Sequence, residues 1–104
     1  MPQDFLGASG AQSYEGDFSF QATVDPANHG ATSAVNTTVT VPSGVTLLST
    51  DLLLAIPPST LEAQIVVQGA YYASATTLTL RTANPSAGAV DPASGTWTFI
   101  VKRK

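Results

Sequence analysis

The chain has no cysteine, a single histidine and little charge. Without cysteine there is neither a disulfide framework nor a thiolate metal site. With His29 alone, no histidine cluster at metal-ligand spacing can form. No Asp-x-Asp-x-Asp loop supplies the closely spaced oxygens of a calcium site, and no glycine-rich loop followed by lysine cradles a phosphate. The nucleophile-elbow pattern Gly-x-Ser-x-Gly is missing too. No segment approaches the roughly 18 apolar residues that a membrane-spanning helix needs. The first residues lack a basic start and a continuous apolar run, so the expectation is a soluble protein made and folded in the cytoplasm.

Charged residues make up 11% of the chain, against an ordinary share of about 25%. Asp4, Glu15, Asp17, Asp25, Asp51, Glu62 and Asp91 face a single Arg81 until the last three residues, Lys102, Arg103 and Lys104. An acidic body repels phosphate backbones, which argues against nucleic acid as a partner. The basic end reads as a solvated tail, with contact to an acidic partner as the alternative. Serine, threonine and alanine stand where charge is missing. The resulting surface is polar yet weakly repulsive, and it suits packing against other protein.

What is present is a period of two. The 104 residues make one domain, divided into an N-terminal arm over 1–16 and a single β domain over 17–104. The arm has no sustained period. Phe5, Leu6 and Tyr14 are its apolar anchors, and it reads either as a docking arm or as a disordered end. From Asp17, Phe18, Phe20, Ala22 and Val24 alternate with polar residues, as in a half-buried strand. A second strand is expected over Ala34 to Val41, with Val35, Thr37, Val39 and Val41 on one face. Val45 to Leu48 is a possible short strand. Asp51 to Ile56 is apolar enough to be buried on both faces, or on one face plus an interface. Leu61-Glu62-Ala63 is a possible helical turn. Strands follow over Gln64 to Tyr72, Thr76 to Thr82 and Gly95 to Lys102, the last with Trp97, Phe99 and Val101 on one face.

About six to eight short strands with turn signals every ten residues or so predict an all-β fold: an antiparallel β-sandwich or small barrel, Ig-like or jelly-roll-like, with an extended N-terminal arm. Threonine-rich outward faces guard edges less well than lysine-rich ones, so some edges are expected to be covered by another chain. Val24-Asp25-Pro26-Ala27 and Val90-Asp91-Pro92-Ala93 echo each other and read as one turn solution used twice.

The inventory for chemistry is thin. His29 lies in a Pro/Gly turn and reads as a surface turn residue. Asp25 and Asp91 each precede proline, where capping a turn is the ordinary task. Glu15 and Asp17 sit two apart, but Glu15 belongs to the arm. Asn36-Thr37-Thr38 matches a glycosylation sequon by chance, in mid-strand. Trp97, Tyr71, Tyr72 and Phe18 are the candidates for a sugar-stacking platform, although Trp97 at a core-facing position reads first as core. Tyr71 and Tyr72 point to opposite faces. No catalytic, cofactor or metal residue is assigned. The interface candidates are Phe5, Leu6, Tyr14, Tyr71 and Tyr72.

Leu80-Arg81-Thr82-Ala83-Asn84, the run from Ala87 to Trp97 (Ala-Gly-Ala-Val-Asp-Pro-Ala-Ser-Gly-Thr-Trp) and the closing Phe-Ile-Val carry a resemblance. So do Val35 to Pro42 and Leu61 to Val67. Over about residues 17–101, the chain resembles the small bacteriophage proteins that decorate icosahedral heads, called decoration or cement proteins, with related head-fibre components. The resemblance implies a non-enzymatic all-β module, typically a homotrimer, seated on the major capsid protein at three-fold or quasi-three-fold positions. Its place would be the outer capsid surface of the virion, where it clamps neighbouring capsomers against the pressure of packaged DNA. No active site, cofactor, membrane or nucleic-acid contact is implied. The alternative reading is a carbohydrate-binding or adhesion module on a virion or cell surface.

Overall fold

A computed structural model describes residues 16–103. Among the described residues six strands form, β1 (Phe18–Val24), β2 (Ser33–Thr40), β3 (Leu52–Ile56), β4 (Val66–Ser74), β5 (Thr77–Asn84) and β6 (Gly95–Lys102). They build two three-stranded antiparallel sheets, ordered β1-β6-β3 and β2-β5-β4. The protein is an all-β antiparallel sandwich. Alternation places most of the strands and breaks down in the bulged β4, where Tyr71, Tyr72 and Ala73 are all exposed. In β6, Trp97, Phe99 and Val101 are buried while the residues between them face outward. In β5, Leu78, Leu80, Thr82 and Asn84 are buried in the same way.

The core lies between the two inner faces. Phe20, Trp97, Phe99 and Val101 of the first sheet meet Val39, Ala70, Leu78 and Leu80 of the second. Phe99 stacks between two rings, with centroids 5.5 Å from Phe20 and 6.5 Å from Trp97. Such offset stacks add to the hydrophobic gain of burying large rings. Leu47 adds a fully buried side chain from the connection between β2 and β3. No strand forms over Val45 to Leu48. Instead Val41 and Leu47 donate their amides to the carbonyls of Thr76 and Ala75, at 2.9 and 2.8 Å, and the segment is held as a loop.

Only one pair of consecutive strands shares a sheet. β4 and β5 are joined by the tight turn at Ala75-Thr76, with Ser74 opposite Thr77. All other connections cross from one sheet to the other. Residues 61–65 form hydrogen-bonded turns rather than helix: Leu61 bonds back to Pro58 and Ile65 back to Glu62. β3 runs close to β4, whereas β1 and β2 splay apart. Between those two edge strands a groove of about 310 Å³ is lined by Thr23, Val24, Asp25 and residues 37–40. One oxygen on its wall, Thr37 Oγ1, is buried without a hydrogen-bond partner.

Candidate functional site

The outer face of the first sheet is the unusual surface. Alternation in β3 turns Leu53 and Ala55 inward, so Leu52, Leu54 and Ile56 face solvent at 57%, 54% and 45% exposure. Of the two expectations for Asp51 to Ile56, burial on both faces is corrected, because β3 is an edge strand with one face on the core and the other exposed. Across the sheet Leu52 lies opposite Lys102, Leu54 opposite Ile100, and Ile56 opposite Thr98. On the far side Ile100 meets Ser19 and Thr98 meets Gln21. Leu54 and Ile100 thus form a central apolar pair, flanked by Leu52 and Ile56 and rimmed by uncharged Ser19, Gln21 and Thr98. Side chains paired across strands in this way make one continuous surface.

The start of β3 is clamped by the C-terminal residues. The Leu48 amide donates to Asp51 Oδ2 at 2.8 Å, which closes the turn before the strand. Arg103 then donates two parallel bonds to the same carboxylate, Nε to Oδ1 at 3.0 Å and Nη2 to Oδ2 at 2.8 Å. Nη2 also donates to the Thr46 carbonyl at 2.7 Å, and the Arg103 amide donates to Asp17 Oδ1 at 2.9 Å. Its guanidinium carbon sits 5.1 Å from the centroid of the Phe18 ring. The Asp51 side chain is fully covered. The bond to Arg103 lowers its carboxyl below the ordinary value of 3.8, with burial opposing and the Leu48 amide assisting. Arg103 is pushed up by the same bond. A bidentate arginine–carboxylate pair is among the more directional side-chain interactions. The solvated-tail reading is therefore corrected for Arg103. Lys102 Nζ lies 3.8 Å from Asp17 Oδ2.

The opposite end is pinned by two polar residues with no exposure. His29, expected on the surface, is fully buried. Its Nδ1 bonds the Ala27 carbonyl at 2.8 Å, which can only accept, so this nitrogen carries hydrogen. Nε2 meets Thr82 Oγ1 at 2.7 Å, and in the neutral ring it accepts the hydroxyl proton. The His29 and Val90 backbones exchange two hydrogen bonds, at 2.8 and 2.9 Å. That bridge lays the two Val-Asp-Pro-Ala turns side by side, with Pro26 and Pro92 buried and Asp25 and Asp91 exposed. Asn84 fastens both loops. Its Nδ2 donates to the carbonyls of Gly88, Gly30 and His29 at 2.8, 3.2 and 3.4 Å, while Oδ1 accepts from the Ser86 amide and hydroxyl. Beside it Thr32 holds a φ of 52°, a strained value for a β-branched residue. Its amide bonds the Ser86 carbonyl at 3.0 Å.

The structure separates the aromatic candidates. Trp97 is buried in the core and presents no ring face to solvent. Phe18 is half-buried beneath Arg103. Tyr71 and Tyr72 are exposed at 51% and 38%. The Tyr71 ring lies over Gly69 in a bulged stretch of β4, where a Cβ would meet the phenol oxygen at 2.9 Å. A sugar platform would thus rest on the two tyrosines alone. Phe5, Leu6 and Tyr14 lie outside the described residues, as does the body of the 1–16 arm. Among the described residues, no group of three or more His, Asp or Glu is placed to hold a metal ion, and no helix is long and apolar enough to cross a membrane.

Sequence reasoning offered one buried face plus an interface as the alternative for Asp51 to Ile56 but did not pair Leu52, Leu54 and Ile56 with Ile100, and it missed the Arg103–Asp51 clamp. Period-two alternation applied to β3 would have singled out its exposed face. No local spacing signals the clamp. Compared with known proteins, the chain matches no family model, no curated protein and no solved structure.

Proposed function

We propose that this chain is a non-enzymatic structural protein of a bacteriophage virion, which decorates the capsid exterior and stabilises contacts between capsomers as an oligomeric cement. The observation that carries the reading is the apolar, nearly uncharged outer face of the first sheet. Contiguous apolar surface on a small domain marks a site of association with protein. The resemblance of the stretch from Leu80 to Val101 to decoration proteins supplies the finer terms, namely phage, capsid and trimer.

Reinforcement by such a module is a matter of buried surface. A copy seated across a seam must lose its contacts before the capsomers separate, so binding stabilises the assembled shell by mass action. Repetition over symmetry-related positions makes modest single contacts effective. A cement must also resist deformation itself. Arg103 on Asp51 at one end, and Asn84 with His29 at the other, cross-tie segments distant in sequence, so load passes through the body rather than being absorbed by loop opening.

The test is cosedimentation of the purified protein with expanded heads of its own phage, followed by heat challenge of the decorated shells. Saturable binding at a fixed number of copies per head, with a raised disruption temperature, is expected. Absence of binding removes the capsid reading.

A further inference from the structure

We propose that the outer face of the second sheet carries a binding site for an acidic saccharide, in which Arg81 takes the carboxylate and the Tyr71 ring supports the sugar. The site lies away from the apolar face of the first sheet and does not depend on the capsid reading.

The register across the sheet places the groups. Asn36 of β2 lies opposite Arg81 of β5, and Arg81 lies opposite Gly69 of β4. The next row is Thr38, Thr79 and Tyr71. Because position 69 has no Cβ, the Tyr71 side chain runs back along its own strand. Its phenol oxygen stands 2.9 Å from where a Cβ on Gly69 would be. The ring therefore lies down on the sheet, with its phenol end in the row of Arg81 and Asn36, and stays half exposed. On the other side of that row is the Ala34–Ala83 pair. These two small residues, with Ser33, Gln68 and Pro85, line a shallow depression of about 390 Å³. Clefts of about 300–1,000 Å³ are the ordinary size of small-molecule sites.

Charge decides the ligand class. The ion pairs among the described residues join Lys102 to Asp17 and Arg103 to Asp51, which leaves the exposed Arg81 without a carboxylate. The side chains of Asn36, Gln68 and Tyr71 likewise spend no polar atom on a partner among the described residues. A guanidinium presents a planar fork that matches a carboxylate. Amides and hydroxyls beside that fork both donate to and accept from sugar hydroxyls. An exposed ring face, negative at its centre, receives the C–H face of a pyranose. The face thus offers each group that a sugar bearing one carboxyl would use.

Two other ligand classes fit this face less well. A nucleic acid or a heavily sulfated chain is a dense polyanion, and a protein of net charge −3 repels it. A protein partner anchors through bulky side chains seated in pockets. Among the described residues Val66 is the one large aliphatic side chain exposed on this face, and the aromatic ring lies flat.

The test is an amide-resolved NMR titration of the full chain with sialyllactose, trigalacturonate and a hyaluronan tetrasaccharide, with lactose as the neutral control. At least one acidic probe should shift the amides around Asn36, Tyr71 and Arg81, while lactose binds about ten-fold more weakly or not at all. Arg81→Gln breaks no ion pair of the described residues, so it should keep a dispersed spectrum and weaken that probe by about ten-fold or more. Tyr71→Ala should weaken it comparably, and Leu54→Thr on the first sheet should leave it unchanged. The inference is overturned if none of the three acidic probes shifts these amides, if lactose binds as well as they do, or if binding survives Arg81→Gln. A loss of binding in Leu54→Thr also overturns it, because the sugar would then sit on the first sheet. Failure to bind heads, measured separately, removes the capsid reading and leaves this site untouched.

Discussion

The two sheets share strand number, antiparallel pairing and a common core, yet their outer faces differ: the second is polar across β2 and β5 and exposes Val66 and Tyr71 on β4, while the first is apolar along β3. On the second sheet Asn36, Thr38 and Thr40 of β2 lie opposite Arg81, Thr79 and Thr77 of β5. On the first, Leu54 lies opposite Ile100, with Leu52 and Ile56 alongside. Threonine satisfies the shape demand of a pleated surface as well as leucine or isoleucine does. Folding alone therefore does not call for leucine on one outer face and threonine on the other. The difference is one of surface character, and under the proposed function the apolar face is the one that meets protein.

That contrast requires that inner residues hold the fold while outer ones do not, and the largest effect tests it on β6. Trp97→Ala removes a core ring stacked on Phe99 and should cost about 3–5 kcal/mol in chemical denaturation. An unchanged midpoint would show that the inner face is not what holds the sheets together. Next comes the pinned end. Asn84→Ala strips bonds from the carbonyls of Gly30, Gly88 and His29, and unpaired buried groups cost about 1–3 kcal/mol each. With partial access of water to Gly30 and Gly88, a loss of about 2–4 kcal/mol is expected. A smaller loss would mean that the two loops are held by the His29–Val90 bridge alone.

The acid limb of stability is smaller and belongs to the apolar face, because Asp51 sets the start of β3. Its carboxyl is lowered in the folded protein from the ordinary 3.8 by the bond to Arg103. The stabilisation it gives is thus whole above that ordinary value and is lost as pH falls below it, through the lowered folded value. Asp51→Asn should lower the melting temperature at neutral pH and reduce the drop between pH 5 and pH 2. An acid limb identical to wild type would show that the Asp51–Arg103 pair is exchanged for water at no cost.

Much of the fold was legible because period two is local. Trp97, Phe99 and Val101 on one face of β6, and Leu78 and Leu80 on one face of β5, follow directly from alternation. The sheet order was not legible, since only the β4–β5 turn joins neighbours and every other strand changes sheets. His29 misled because proline and glycine around it signal an exposed turn. Its burial arises from a second turn 61 residues on, at Val90, and the Val-Asp-Pro-Ala echo was the one sequence hint that the two loops sit together. Arg103 and Asp51 stand far apart in sequence, so no spacing rule links them. In β3, the Leu-Leu-Leu run concealed the alternation, because a residue's apolar character does not say whether its partner is its own core or another chain.

The smallest effect sharpens the contrast between outer faces most directly. Leu54→Thr makes the first sheet resemble the second, and Thr38→Leu does the reverse. Both side chains point to solvent in the single chain, so at low protein concentration each variant should unfold within about 0.5 kcal/mol of wild type. The difference should emerge only as concentration rises. Association of folded chains stabilises them by mass action, so the wild type and Thr38→Leu should melt at higher temperature in concentrated solution, while Leu54→Thr should show a weaker rise. Equal concentration dependence in the two variants would place the association surface elsewhere, and the leucines of β3 would need another explanation.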